Sequence, residues 1–183
     1  MKLRTLHLVV LAMVVLPSLA IAQKDKAAPA LDSSPADIAY FRPGGRNSEP
    51  VARVIYGRPS KKGRTMLGGT EPYGKVWRLG ANEATELKLY KDVTFGDKKV
   101  PAGTYTMYAI PDKAEWTLIF NKKLDTWGAY SYEEAQDVAR IKVPATTAPS
   151  EVEAFTIWFN DEVTDKTMNI SWETTLVKVP VKI

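Results

Sequence analysis

The sequence predicts an all-β fold, an antiparallel β-sandwich or jelly roll of about nine strands with one short helix. Three observations predict it. Apolar residues recur at spacing two through most of the chain, the runs so marked are rich in Val, Ile, Thr and aromatics, and Gly- or Pro-containing turns separate them at regular intervals. Long amphipathic helical patterns between the runs are missing, which argues against βαβ units and a parallel sheet.

The first residues, "MKLRTLHLVVLAMVVLPSLAIAQ", carry Lys2 and Arg4 ahead of an apolar run from Leu6 to Leu19. Ala20-Ile21-Ala22 is a small-x-small cleavage site, so residues 1–22 read as a secretory signal peptide. The run is short for a spanning helix and no stop-transfer pattern follows, so no membrane span is expected after cleavage. No Cys stands at the cleavage point, which excludes a lipoprotein anchor. Removing 22 of the 183 residues leaves 161, a length suited to one domain. Residues 23–34, "QKDKAAPALDSS", are polar and Ala/Pro-rich and read as a disordered leader. Residues 35–183 read as a single β-sandwich domain.

Within that domain "VARVIYGR" and "ATELKLYKDVTF" alternate, with Leu87 and Leu89 on one face and Lys88 and Tyr90 on the other. "VTFGDKKV" reads as a hairpin turning at Gly96-Asp97. "PAGTYTMYAIP" and "EWTLIFNK" follow, then "DVARIKVPA", "AFTIWFND", "TMNISWE" and "LVKVPVKI" as four further strands. The short helix is expected near Tyr132 to Gln136, with Ser131 as its N-cap. Spacing two places Leu87, Leu89, Tyr105, Met107, Trp116, Leu118, Phe120, Ile157, Phe159, Ile170 and Trp172 in the core.

Composition excludes several chemistries. There is no Cys, and the single His, His7, lies in the expected signal. The mature domain therefore offers no His base, Cys nucleophile, His/Cys zinc site, type 1 copper site or His-ligated haem. No cofactor fingerprint is present, and no cofactor or metal is expected. Losing Lys2 and Arg4 takes the basic count from 25 to 23 against 21 acidic residues, nearly neutral. No basic block points to nucleic acid.

Three clusters remain as candidates. The stretch Trp77-Arg78-Leu79-Gly80-Ala81-Asn82-Glu83 combines a planar cation with a corner that can expose backbone N–H groups. Here Arg78, Asn82 and Glu83 are candidate ligand-binding residues, and the competing reading is an Arg78–Glu83 pair that fixes a strand crossing. The loop "LDTWGAYSYEEA" puts Trp127 and Tyr130 where they can stack on a sugar or an apolar ligand. "RPSKKGRTMLGGTEPYGKVW" reads as a solvated loop or a basic lid over the Arg78 corner. Glu173, after Trp172, can pair with Arg78 or Arg140. Glu83 and Glu173 form the one carboxylate pair suited to glycoside chemistry, and are the weak catalytic candidates.

The strings "KGRTMLGG", "PYGKVWR", "GANEAT", "VPAGTYTMYAIP", "WTLIFNK", "WGAY" and the closing "WE" resemble a bacterial family of secreted proteins, domain of unknown function 2911. The likeness runs from Ser34 to Ile183, and the residue after Trp-Arg, commonly Thr in the family, is Leu79 here. The resemblance implies export and a single domain, and supplies no catalytic residues. The expected function is a non-catalytic binding module in the periplasm or outside the cell. Its expected partner is a small ligand, a glycan or peptide of the envelope, or an envelope protein. The alternatives are a polysaccharide hydrolase using Glu83 and Glu173, and a structural subunit of an envelope assembly.

Overall fold

Nine strands account for the regular structure: β1 (Ala36–Phe41), β2 (Ala52–Gly57), β3 (Thr85–Leu89), β4 (Val93–Phe95), β5 (Lys98–Val100), β6 (Gly103–Ile110), β7 (Glu115–Asn121), β8 (Asp137–Glu162) and β9 (Asp165–Lys182). All neighbours pair antiparallel, in the order β1-β2-β3-β6-β7-β8-β9-β4-β5, so the hydrogen-bonded ladder is one open sheet. The computed structural model describes residues 27–162 and 164–183, and Leu31–Ile183 form one compact unit. The expected signal peptide and the first residues of the expected leader lie outside the described residues.

β8 and β9 explain how one sheet encloses a core. Residues 137–144 of β8 pair with β7, while residues 145–162 pair with β9. The β8–β9 register shifts between Thr147 and Val152 and again between Val152 and Thr156. Pro149, which has no N–H to donate, sits in the unpaired stretch, where its loss costs no ladder bond. Glu173, opposite Val152, takes φ 54°, and such a bulge bends the ribbon. Beyond the bend the ribbon reaches β1 and β2. Phe159 stacks on Phe41 at 5.3 Å, Phe155 meets Tyr56 edge-on at 5.7 Å, and the backbone N–H of Ile157 donates to Tyr56 Oη at 3.1 Å.

The alternating pattern is what the sheet uses. Leu87, Leu89, Tyr105, Met107, Trp116, Leu118, Phe120, Ile157, Ile170 and Trp172 are buried, and Lys88 lies over the exposed Tyr90 ring on the opposite face. Phe159, expected in the core, is only partly buried at its rim. The β4–β5 hairpin turns at Gly96-Asp97 as expected, with Gly96 at φ 59°. Strand division differs from expectation. "DVARIKVPA" and "AFTIWFND" are one strand, as are "TMNISWE" and "LVKVPVKI", because the bends between them keep the ladder running. β1, "ADIAYF", was hidden by its single apolar alternation beside the leader. The expected helix is a three-residue 3-10 turn, Glu134–Gln136, that follows Glu133 rather than Ser131 and has no side-chain cap.

Candidate functional site

The ladder on β6 defines the corner. Trp77 bridges Ala109, and Thr85 pairs with Met107. A single β6 residue, Tyr108, therefore stands against seven on the partner segment, and residues 78–84 leave the ladder as an excursion. Its neck is closed by Thr85 N–H donating to the Arg78 carbonyl at 3.1 Å and Thr85 Oγ1 donating to the Leu79 carbonyl at 2.6 Å. Trp77 Nε1 donates to the Gly80 carbonyl at 3.1 Å. Inside the excursion the backbone is strained: Leu79 stands at φ 54° and Asn82 at φ 62°, the left-handed region that a branched apolar residue rarely enters. Gly57 allows the closest approach, because a Cβ there would lie 2.1 Å from the Ala81 carbonyl oxygen.

A second loop is zipped onto this one. Ala84 N–H donates to the Thr126 carbonyl at 2.9 Å, Gly128 N–H donates to the Asn82 carbonyl at 3.0 Å, and Glu83 bridges Trp127 between them. Tyr108, buried beneath, shares a 2.8 Å hydrogen bond with Thr126. Two irregular segments thus brace each other on a rigid sheet, the usual support for a binding loop. Asn82 also reaches back along the chain, donating through Nδ2 to Asp32 Oδ1 at 3.0 Å. The Ser34 N–H, and after it this Asn82 bond, hold the Asp32 carboxyl below the usual carboxylate range, so the end of the expected leader is tied to the corner.

One side of this brace opens into a cleft of about 250 Å³ lined by Glu71, Val76, Trp77, Arg78, Ala129 and Tyr130. Arg78 makes no ion pair or hydrogen bond to another described residue through its guanidinium, and its Nε is buried without a partner. Every other half-buried arginine among the described residues is held: Arg42 by the Ser48 carbonyl, Arg53 by Glu86, Arg58 by Asp37 and Thr156, Arg140 by Glu134, Asp137 and Tyr132. Tyr130 is 87% exposed. It lies against Gly128, where an added Cβ would fall 2.7 Å from Cε2 of the ring. The nearby carboxyl is Glu71. Burial pushes its pKa up, and the positive charge of Arg78 pulls against that shift.

Glu71 is itself positioned from behind. Glu173 accepts the backbone N–H of Met66 through Oε1 and of Leu67 through Oε2, both at 2.9 Å. Those residues begin a tight loop in which Glu71 N–H donates to the Met66 carbonyl at 2.8 Å and Gly68 N–H donates to the Glu71 carbonyl at 2.9 Å. The preceding basic segment is fastened too, by the Lys61–Glu151 pair, the Ser60–Ala154 bridge and Lys62 N–H donating to Glu153 at 2.7 Å. It lies against β8 and does not cover Arg78 as a lid would.

A family model described as "Protein of unknown function (DUF2911)" matches residues 35–181. The chain belongs to this family. No curated protein and no solved structure matches it. Against the sequence-derived expectations, this DUF2911 domain brings Arg78 and Tyr130 into one cleft and sends Asn82 and Glu83 elsewhere. Asn82 and Glu83 line a separate hollow of about 390 Å³ with Ile55, Glu86, Leu124 and Asp125. Trp127 is 59% exposed and joins Glu83 only through backbone. The expected Arg78–Glu83 pair does not form, because the excursion closes at Thr85 and the left-handed Asn82 turns the chain between the two side chains. Glu173 pairs with neither Arg78 nor Arg140, since two backbone N–H groups occupy its oxygens. Glu83 and Glu173 share none of the described clefts. Among the described residues no group of three or more His, Cys, Asp and Glu side chains could hold a metal ion. Glu71 is the member that sequence reasoning missed. Its only signal was an acid within an otherwise basic, Gly-rich run.

Proposed function

We propose that the protein is a non-catalytic binding module, exported to the periplasm or beyond, that presents the Arg78 corner to a ligand of the cell envelope. One observation carries the reading. Among the described residues Arg78 is a half-buried guanidinium with no hydrogen-bond or ion-pair partner, set beside an exposed aromatic ring on a corner braced from two sides. Arg53 Nε, Arg58 Nε and Trp116 Nε1 are likewise buried without a partner, so what sets Arg78 apart is that its whole guanidinium has no hydrogen bond or ion pair to a described residue while the residue lines a cleft, which marks bonding capacity kept for something else. Export is supported by the Lys2/Arg4 start, the apolar run and the Ala20-Ile21-Ala22 site. Among the described residues no helix is long and apolar enough to cross a membrane. The non-catalytic part is supported by the engagement of Glu173 with Met66 and Leu67, which takes it out of the expected Glu83–Glu173 pair, and the two share none of the described clefts.

Calorimetric titration with envelope glycans and peptides tests the reading. Heat of binding is expected with at least one of them, and Arg78→Ala should remove it while the melting temperature stays close to wild type. No heat with any of them, together with no partner in pull-downs from crosslinked cells, would overturn it.

A further inference from the structure

We propose that the Arg78 cleft takes the carboxylate of an acidic sugar, a uronic acid unit of a glycan, with the sugar ring laid on Tyr130. This rests on the binding-module reading above and names its ligand class. The charge of the cleft selects the anion. Its lining holds one cation, Arg78, and one carboxyl, Glu71. A dianionic phosphate would meet Glu71 with only one positive charge to offset it, whereas a singly charged carboxylate matches the planar guanidinium fork and can be held by two parallel N–H bonds. No Lys lines the cleft.

Size and shape select what carries the carboxylate. At about 250 Å³ the cleft is smaller than the roughly 300–1,000 Å³ of pockets that enclose a drug-sized ligand, so it admits one end unit and leaves the rest of the ligand outside. That unit meets the Tyr130 ring, whose one side is seated on Gly128 while 87% of the residue stays in solvent. A flat, open aromatic face with its negative quadrupole attracts the C–H face of a pyranose, whose hydroxyls remain in water. An apolar peptide side chain would gain little there, because Val76 and Ala129 build no enclosing pocket around it. The absence of a side chain at Gly128 is what lets the ring lie there. Gly128 has φ 65°, and a side chain there would displace the ring.

The test titrates the purified protein with a tetramer of glucuronic acid, its methyl ester, a glucose phosphate and an acetylated dipeptide with a free carboxylate. The uronate tetramer should bind. The methyl ester, which keeps the shape and loses the charge, should bind at least about tenfold more weakly, as should the tetramer to Arg78→Ala, since a charge-assisted bidentate pair exceeds the energy of one decade in affinity. Tyr130→Ala and Gly128→Ala should both weaken the tetramer, and Tyr130→Ala, on an exposed side chain, should melt with wild type. Equal affinity for acid and ester would overturn the carboxylate assignment and leave the binding module standing. Tighter binding of the phosphate would overturn the single-charge argument. Equal affinity for the dipeptide, or indifference to Tyr130→Ala, would overturn the sugar. Failure of the tetramer while another envelope ligand binds through Arg78 would end this proposal alone. Failure of every ligand and partner would end both.

Discussion

Two charged residues sit on strained or bulged backbone in this protein, and they are used in opposite ways. Glu173, at φ 54° in the β9 bulge, has each carboxylate oxygen on a backbone N–H of the Met66–Leu67 loop. Arg78 precedes Leu79 at φ 54° in the excursion opposite β6, and its guanidinium makes no hydrogen bond or ion pair to a described residue. Backbone strain is common to both regions, so strain does not separate architecture from site. Hydrogen-bonding capacity does. The carboxylate at the bulge is fully engaged in holding a loop, while the guanidinium at the corner makes no hydrogen bond or ion pair to the described residues.

The largest effect should come from the frame common to both regions. Trp77 is 3% exposed, stacks on Trp172 at 5.7 Å and meets Trp116 and Phe155 edge-on. Trp77→Ala should cost about 3–5 kcal/mol in a urea unfolding curve, since a large aromatic leaves a cavity that close packing cannot collapse. It should also disorganise the Arg78 corner, because the Gly80 carbonyl loses its indole donor. A cost below about 1 kcal/mol would mean the aromatic cluster is not what holds the corner.

Next in size is the engaged carboxylate. Glu173→Gln replaces a two-oxygen acceptor by one carbonyl and an amide that cannot accept, and should cost about 1.5–3 kcal/mol. Amide exchange at Met66 and Leu67 should speed up, because those are the donors released. Unchanged exchange there would erase the contrast with Arg78.

Glu71 should give a pH-dependent effect of the opposite sign. Burial raises its folded pKa above the ordinary glutamate value of 4.5, so the native state holds the proton more tightly than the unfolded chain. Stability from this group therefore falls as pH rises from the ordinary glutamate range through the raised value, then levels off. Glu71→Gln should be more stable than wild type at neutral pH, and the gap should close as pH falls below that range. A gap independent of pH would show that packing, not ionisation, sets the effect.

The two regions were unequally legible in the sequence. The sheet was readable because alternation, the Gly96-Asp97 turn and the apolar face of Leu87 and Leu89 act over a few residues. The fused strands β8 and β9 were not, because a bulge keeps a ladder running through residues that read locally as a break. At the corner, Arg78 and Tyr130 were marked by residue type. Their meeting depends on the Glu83–Trp127 bridge, and Glu71 reaches them through a loop set by Glu173, a hundred residues away in sequence. Such long-range contacts leave no periodic trace. Glu83 and Glu173 were grouped as a carboxylate pair by residue type alone, and the backbone donors at Met66 and Leu67 show that Glu173 has a different task.

The most direct test of the contrast needs no ligand. Arg78→Met keeps an unbranched stem of similar length and removes the guanidinium, including its buried, unpartnered Nε. If the fold does not use that group, the urea midpoint at neutral pH should stay within about 0.5 kcal/mol of wild type or rise, as replacing an unsatisfied polar group by an apolar one allows. A loss of more than about 1.5 kcal/mol, the scale of a hydrogen bond to a charged group, would make Arg78 as architectural as Glu173 and contradict the account.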